Sequence, residues 1–134
     1  MTLITVGHRE EETGLKERQA GAEELTRAAQ RYIEAHSAEK YVLQEMAGAL
    51  FVNGSYLIRA FKRCTGLTPL AYHHQVRCRK AQELLAQTDR SVSEIGEAVG
   101  YVSSSHFTHI FRKTVGCTPS EYRRDHGGSA GEDA

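Results

Sequence analysis

Two pairs of adjacent cations, Lys62-Arg63 and Arg112-Lys113, stand fifty residues apart in this chain. Cations placed in this way hold phosphate oxygens, which orients a nucleic-acid backbone without reading its bases. Other chemistry has less to draw on. His73, His74 and Cys78 are close in sequence, but a metal site needs more ligands of this kind converging, so neither a metal nor a cofactor is expected. Cys64, Cys78 and Cys117 are odd in number and form no CxxC pair. That speaks against a disulfide framework and against a zinc ribbon, and it fits reduced thiols in a cytoplasmic protein. No Ser/His/Asp order, phosphate loop or pair of carboxylates falls where a pocket is expected, so the chain does not read as an enzyme.

The elements that must position these side chains are helical. Leu25, Ala29, Tyr32 and Ile33 repeat at helical spacing, predicting a first helix over 22–35. Leu43, Met46, Ala47 and Leu50 predict a short second helix. Asn53 can cap a third, with Leu57, Ala60 and Phe61 on its inner face and Gly66 as a left-handed stop. Thr68-Pro69 opens a long fourth helix over 69–87. Ser91 caps a fifth, lined by Val92, Ile95 and Val99 and ended by Gly100. Ser103 caps a sixth, whose apolar face is Phe107, Ile110 and Phe111. Gly116, Thr118 and Pro119 repeat the stop-and-start signal before a short seventh helix around Tyr122. The fold class expected is all-α. Residues 1–21 are polar and carry Gly7, Gly14, Gly21 and Glu10-Glu11-Glu12, which reads as a flexible arm. Residues 127–134 read as a disordered tail.

The whole chain has zero net charge, but the charge is segregated. Residues 40–126 carry 12 Lys/Arg against 7 Asp/Glu, and both ends are acidic. A basic body between acidic ends suits a phosphate-bearing partner. No apolar run approaches the 18 residues of a membrane span, and no secretory signal opens the chain, so a cytoplasmic location is expected.

A repeat organises the folded part. Residues 55–72 and 105–122 share Ser55/Ser105, Phe61/Phe111, Gly66/Gly116, Thr68/Thr118, Pro69/Pro119 and Tyr72/Tyr122. Six identities in 18 positions compare with about one by chance. The preceding helices match at a spacing one shorter, as Leu43/Val92, Glu45/Glu94, Met46/Ile95 and Leu50/Val99, so the second turn is one residue longer. Each copy is a short helix, a turn, a helix with a basic end, a Gly stop and a Thr-Pro start. Two short helices joined by a turn form a helix-turn-helix, whose second helix can enter the major groove of DNA. The first unit is expected over 42–66 and the second over 91–116, within a domain of 22–126.

Ala81 to Tyr101, with Ser103, Ser105-His106-Phe107, Phe111-Arg112-Lys113, Gly116, Thr118-Pro119 and Glu121-Tyr122-Arg123, resembles the DNA-binding domain of the AraC/XylS family of bacterial transcription regulators. Ser55-Tyr56-Leu57, Arg59, Phe61-Lys62-Arg63, Gly66, Thr68-Pro69 and Tyr72 carry the likeness through the first unit. The resemblance implies seven helices in two helix-turn-helix subdomains joined by a long linker helix. It implies a sequence-specific regulator, an activator more often than a repressor, with double-stranded DNA and RNA polymerase as partners. The chain resembles short stand-alone members, or the C-terminal half of a longer regulator. Because it holds two reading units, a monomer on DNA is expected.

Carried over by position, the resemblance assigns base contacts to Ser55, Ile58 and Arg59, and to Ser104, Ser105, His106, Thr108 and His109. Arg59 suits guanine O6 and N7 as a bidentate pair, and Ile58 suits a thymine methyl. Lys62, Arg63, Arg112 and Lys113 fall to phosphates. His106 and His109 read either as solvated imidazoles or as groups whose protonation would strengthen binding below about pH 6.5. Cys78 stands where the family has an apolar residue, and a buried thiol is expected there. Three departures stand out. Phe51 occupies a turn position where the family has Gly, so the turn either avoids positive φ or is strained. His109 replaces an Arg. Gly96 replaces an Ala, at a cost of about 1 kcal/mol of helix stability. Together these departures weight the second unit toward affinity rather than base choice.

Overall fold

The computed structural model describes the backbone of residues 2–127 and the side chains of residues 19–127. Its helices are α1 (Thr2–Ala35), α2 (Leu43–Ala49), α3 (Gly54–Thr65), α4 (Pro69–Gln87), α5 (Val92–Val99), α6 (Ser104–Val115) and α7 (Pro119–His126), with no strand among the described residues. The all-α class and the seven helices agree with the sequence reading. The first helix differs in length. It begins at Thr2, so the backbone of 2–21 is helical where an arm was expected. Periodicity locates a helix by its buried face, whereas a run such as Glu10–Glu12 and Lys16–Ala20 favours helix by intrinsic propensity alone. The tail from 128 onward lies outside the described residues.

The chain divides into two compact units, one of residues to Tyr32 with Val42–Pro69, the other of Ile33–Tyr41 with the residues from Leu70. In the first unit, α2 packs on α3. Met46, Ala47, Leu57, Ala60 and Phe61 are buried there, with Ala22 and Ala29 of α1. Asn53 caps α3 by accepting from the Tyr56 backbone N–H at 2.9 Å. Gly66 ends it at φ 81°, a conformation that glycine adopts without a Cβ penalty.

In the second unit, α5 packs on α6 and α6 on α7. Cys78, Ala81, Leu85, Ile95, Val99, Tyr101, Phe107 and Phe111 form one buried cluster. Cys78 is thus the buried small hydrophobe that was expected, and burial raises its thiol pKa. Ser91 with Glu94 and Thr118 with Glu121 form reciprocal capping boxes at the starts of α5 and α7. Ser103 caps α6 by accepting from the His106 N–H at 3.2 Å. At the end of α4, Arg123 donates to the carbonyls of Leu85 and Thr88, both at 3.2 Å, satisfying acceptors that a helix terminus leaves open.

Two of the departures take a definite form. Phe51 adopts φ 59°, the only described non-glycine residue with positive φ, and its side chain is 94% exposed. It keeps the left-handed conformation that Gly100 supplies at the matching place in the second unit, at φ 117°. Gly96 is more than a weak helix former. A Cβ there would lie 2.7 Å from Cδ2 and 2.9 Å from Cγ of Phe107. The missing methyl is what lets α6 seat its phenyl ring against α5.

Candidate nucleic-acid interface

Each unit presents the exposed side of its second helix. On α3, Ser55, Tyr56, Arg59, Lys62 and Arg63 are exposed, and Ile58 is half-buried. On α6, Ser104, Ser105, His106, His109, Arg112 and Lys113 are exposed, and Thr108 is half-buried. The helices are amphipathic because Leu57, Ala60 and Phe61, and likewise Phe107 and Phe111, take the buried stripe. Neither helix contains an Asp or Glu, while both end in two cations. A polyanion that approaches either face therefore meets donors and positive charge from the helix, and no carboxylate belonging to that helix.

Within the second unit, Ser104, Ser105, Thr108, His109 and Arg112 line one shallow depression, completed by Thr118 at the start of α7. Four of the five residues assigned to base contact there share one concave surface with the phosphate candidate Arg112. His106 is placed differently. Its ring meets Tyr101 edge-to-face at a centroid distance of 5.3 Å and lies 6.3 Å from the ring of His74. Part of its surface is held against the body of the unit rather than offered to a groove.

Within the first unit, Arg63 donates to the side-chain oxygen of Gln19 on α1. It lines a depression with Gln19, Glu23, Thr26, Arg27, Gln30, Cys64 and Thr65. Of the two cations that end α3, then, Arg63 has a protein partner. Tyr56 is also exposed, at 40%, beside Ser55 and Arg59, and the repeat pairs it with His106.

Beneath the second unit's face lies a group of titratable rings. His73 is buried, nothing among the described residues hydrogen-bonds its Nε2, and its ring meets Tyr41 at 5.5 Å. Burial, with the nearby charges of Arg77 and His74, lowers its pKa to about 4. His74 is lowered as well, by burial first and then by Arg77 and His106. Burial pushes Tyr101 up to about 12. Among the described residues no three His, Cys, Asp or Glu side chains are grouped so as to hold a metal ion.

Two units of short helix, turn and capped helix with a carboxylate-free outer face define a tandem helix-turn-helix module. The family model described as a helix-turn-helix domain matches residues 46–125. The activator RhaS of an Enterobacter species is 36% identical over 93 residues, covering 69% of this chain and 34% of that protein. A crystal structure of a transcriptional regulator from Chromobacterium violaceum, described as AraC-type, superposes with a TM-score of 0.74 at 31% identity, over 81% of this chain and 97% of that one. The DNA-binding domain of AdpA, solved in complex with a target DNA, superposes at 0.69 with 26% identity, over 75% of this chain and 90% of that one. The chain belongs to the AraC/XylS family of helix-turn-helix transcriptional regulators. It spans about a third of the length of the curated relatives it matches. No helix among the described residues is long and apolar enough to cross a membrane.

Proposed function

We propose that this chain is a sequence-specific regulator that binds one DNA duplex as a monomer, with α3 and α6 entering neighbouring major-groove segments. The carrying observation is the repeated outer face of these helices, with hydroxyls, imidazoles and Arg59 toward the helix start and cations at its end. Arg59, Ser55 and Ile58 read bases through α3. Ser104, Ser105, Thr108 and His109 read them through α6. Lys62, Arg112 and Lys113 hold phosphates, and Arg63 joins them when Gln19 releases it. Activation through RNA polymerase is the regulatory outcome we favour, because relatives such as RhaS are named activators. Those relatives are predominantly regulators, although one, AdaA, is named as a bifunctional activator and DNA-repair enzyme. We propose no catalytic role for this chain.

Gel shifts over a series of salt concentrations test this, with the duplex that the chain selects from a random pool set against a scrambled one of equal length. The selected duplex should bind more tightly, with log affinity falling linearly in log salt. Arg59→Ala should cost about 1–3 kcal/mol and relax choice at one base pair. Lys62→Ala should weaken all duplexes evenly and flatten the salt slope by about one unit. Equal affinity for the selected and scrambled duplexes would remove sequence-specific reading and leave a protein-docking module.

A further inference from the structure

We propose that Tyr101, clamped by Arg77 and His74 of α4, is the positioning residue of the second recognition helix and fixes how the start of α6 meets DNA. The inference deepens the reading above and rests on α6 entering the groove.

Arg77 is the anchor. It is buried, at 6% exposure, and pairs with no carboxylate among the described residues. Its Nε donates to the Ser37 carbonyl at 2.6 Å, and one terminal nitrogen donates to the Glu39 carbonyl at 2.7 Å. The guanidinium lies over the Tyr101 ring, 4.8 Å from its centroid, within cation–π range. The turn before α6 is pressed onto this group. A Cβ on Gly100 would lie 2.8 Å from the guanidinium carbon of Arg77 and 2.8 Å from the Ala38 carbonyl oxygen. Gly100 thus serves both its positive φ and this close approach.

Tyr101 carries the constraint outward. Its hydroxyl is 2.6 Å from Nδ1 of His74, and the two rings are stacked with 10° between their planes. The other side of Tyr101 meets His106 in the first turn of α6, and also Phe107 at 5.6 Å. Phe107 passes the contact to Phe111 at 5.7 Å. One buried tyrosine therefore links α4 to the residues that begin the reading helix. The first unit lacks this device, since the position matching Gly100 is Phe51, whose side chain is almost wholly exposed. The extra residue of the second turn goes with a turn that is clamped from beneath.

The test uses the full chain and the duplex it selects from a random pool, with each half scrambled in turn. The wild type should lose affinity when either half is scrambled. Tyr101→Leu should lose about tenfold of the preference for an intact α6 half, keep its preference at the α3 half, and shift the His106 imidazole resonances of the free protein. Tyr101→Phe keeps the ring under Arg77 and should restore most of both readouts. His74→Phe, which keeps a stacked ring but removes the Nδ1 partner, guards against a variant that fails to fold and should fall between the two. Full preference at both halves in a folded Tyr101→Leu protein, or an unmoved His106 signal, would overturn the positioning role. A wild type indifferent to the α6 half would instead overturn the underlying reading, and the positioning role with it.

Discussion

A methyl group added at position 96 would lie 2.7 Å from the edge of a phenyl ring that is itself fully buried. Helix propensity alone favours Ala over Gly by about 1 kcal/mol, so Gly96→Ala looks stabilising from sequence. Overpacking a closed core costs about 1–3 kcal/mol, and Phe107 is fully buried with the Tyr101 and Phe111 rings at 5.6 and 5.7 Å. Gly96→Ala is therefore expected to lower stability by about 1–2 kcal/mol, measured by urea unfolding. A rise would mean that the ring has space. Phe51 makes a different point at the same scale. The sequence could pose the choice between avoided positive φ and strain but could not decide it, because that depends on whether the turn geometry is imposed. The φ of 59° shows that it is.

At the scale of elements, α4 does more than connect. One side of it contributes Cys78, Ala81 and Leu85 to the second unit's core, and Lys80 reaches the Ser37 hydroxyl at 2.6 Å. The buried His73 gives this helix a pH signature. Its folded pKa of about 4 lies below the ordinary 6.5, so the native state favours the neutral ring. The associated stability is complete above pH 6.5 and is lost as pH falls toward 4, at up to about 1.4 kcal/mol per unit. His74 contributes in the same direction. In His73→Leu, urea midpoints should change less between pH 7.5 and pH 5 than in the wild type, and an unaltered difference would show that His73 is not the group responsible. The caps of α3, α5, α6 and α7 were legible in sequence because Asn53, Ser91, Ser103 and Thr118 act within three residues of themselves. The stops at Gly66, Gly100 and Gly116 were legible for the same reason. The clamp of Arg77 on Tyr101, the seat of Phe107 on Gly96 and the bond that Arg63 donates to Gln19 were not, since each joins residues that only the fold brings together. The start of α1 was missed because residues 1–21 show no sustained apolar periodicity in sequence.

For the molecule as a whole, zero net charge hides a basic body between acidic ends, and the repeat divides that body into two helix-turn-helix units. The second helix of each unit carries cations without carboxylates, and the acidic side chains of the short partner helices, such as Glu45, Glu94 and Glu97, lie on α2 and α5. In the proposed function both units engage one duplex at once. Hydroxyl-radical footprinting of the full chain on its selected duplex measures this directly. Two protected segments about one helical turn apart, with the second lost in an α6 variant such as His109→Ala combined with Arg112→Ala, are expected. A single protected segment that survives that variant unchanged would contradict the account.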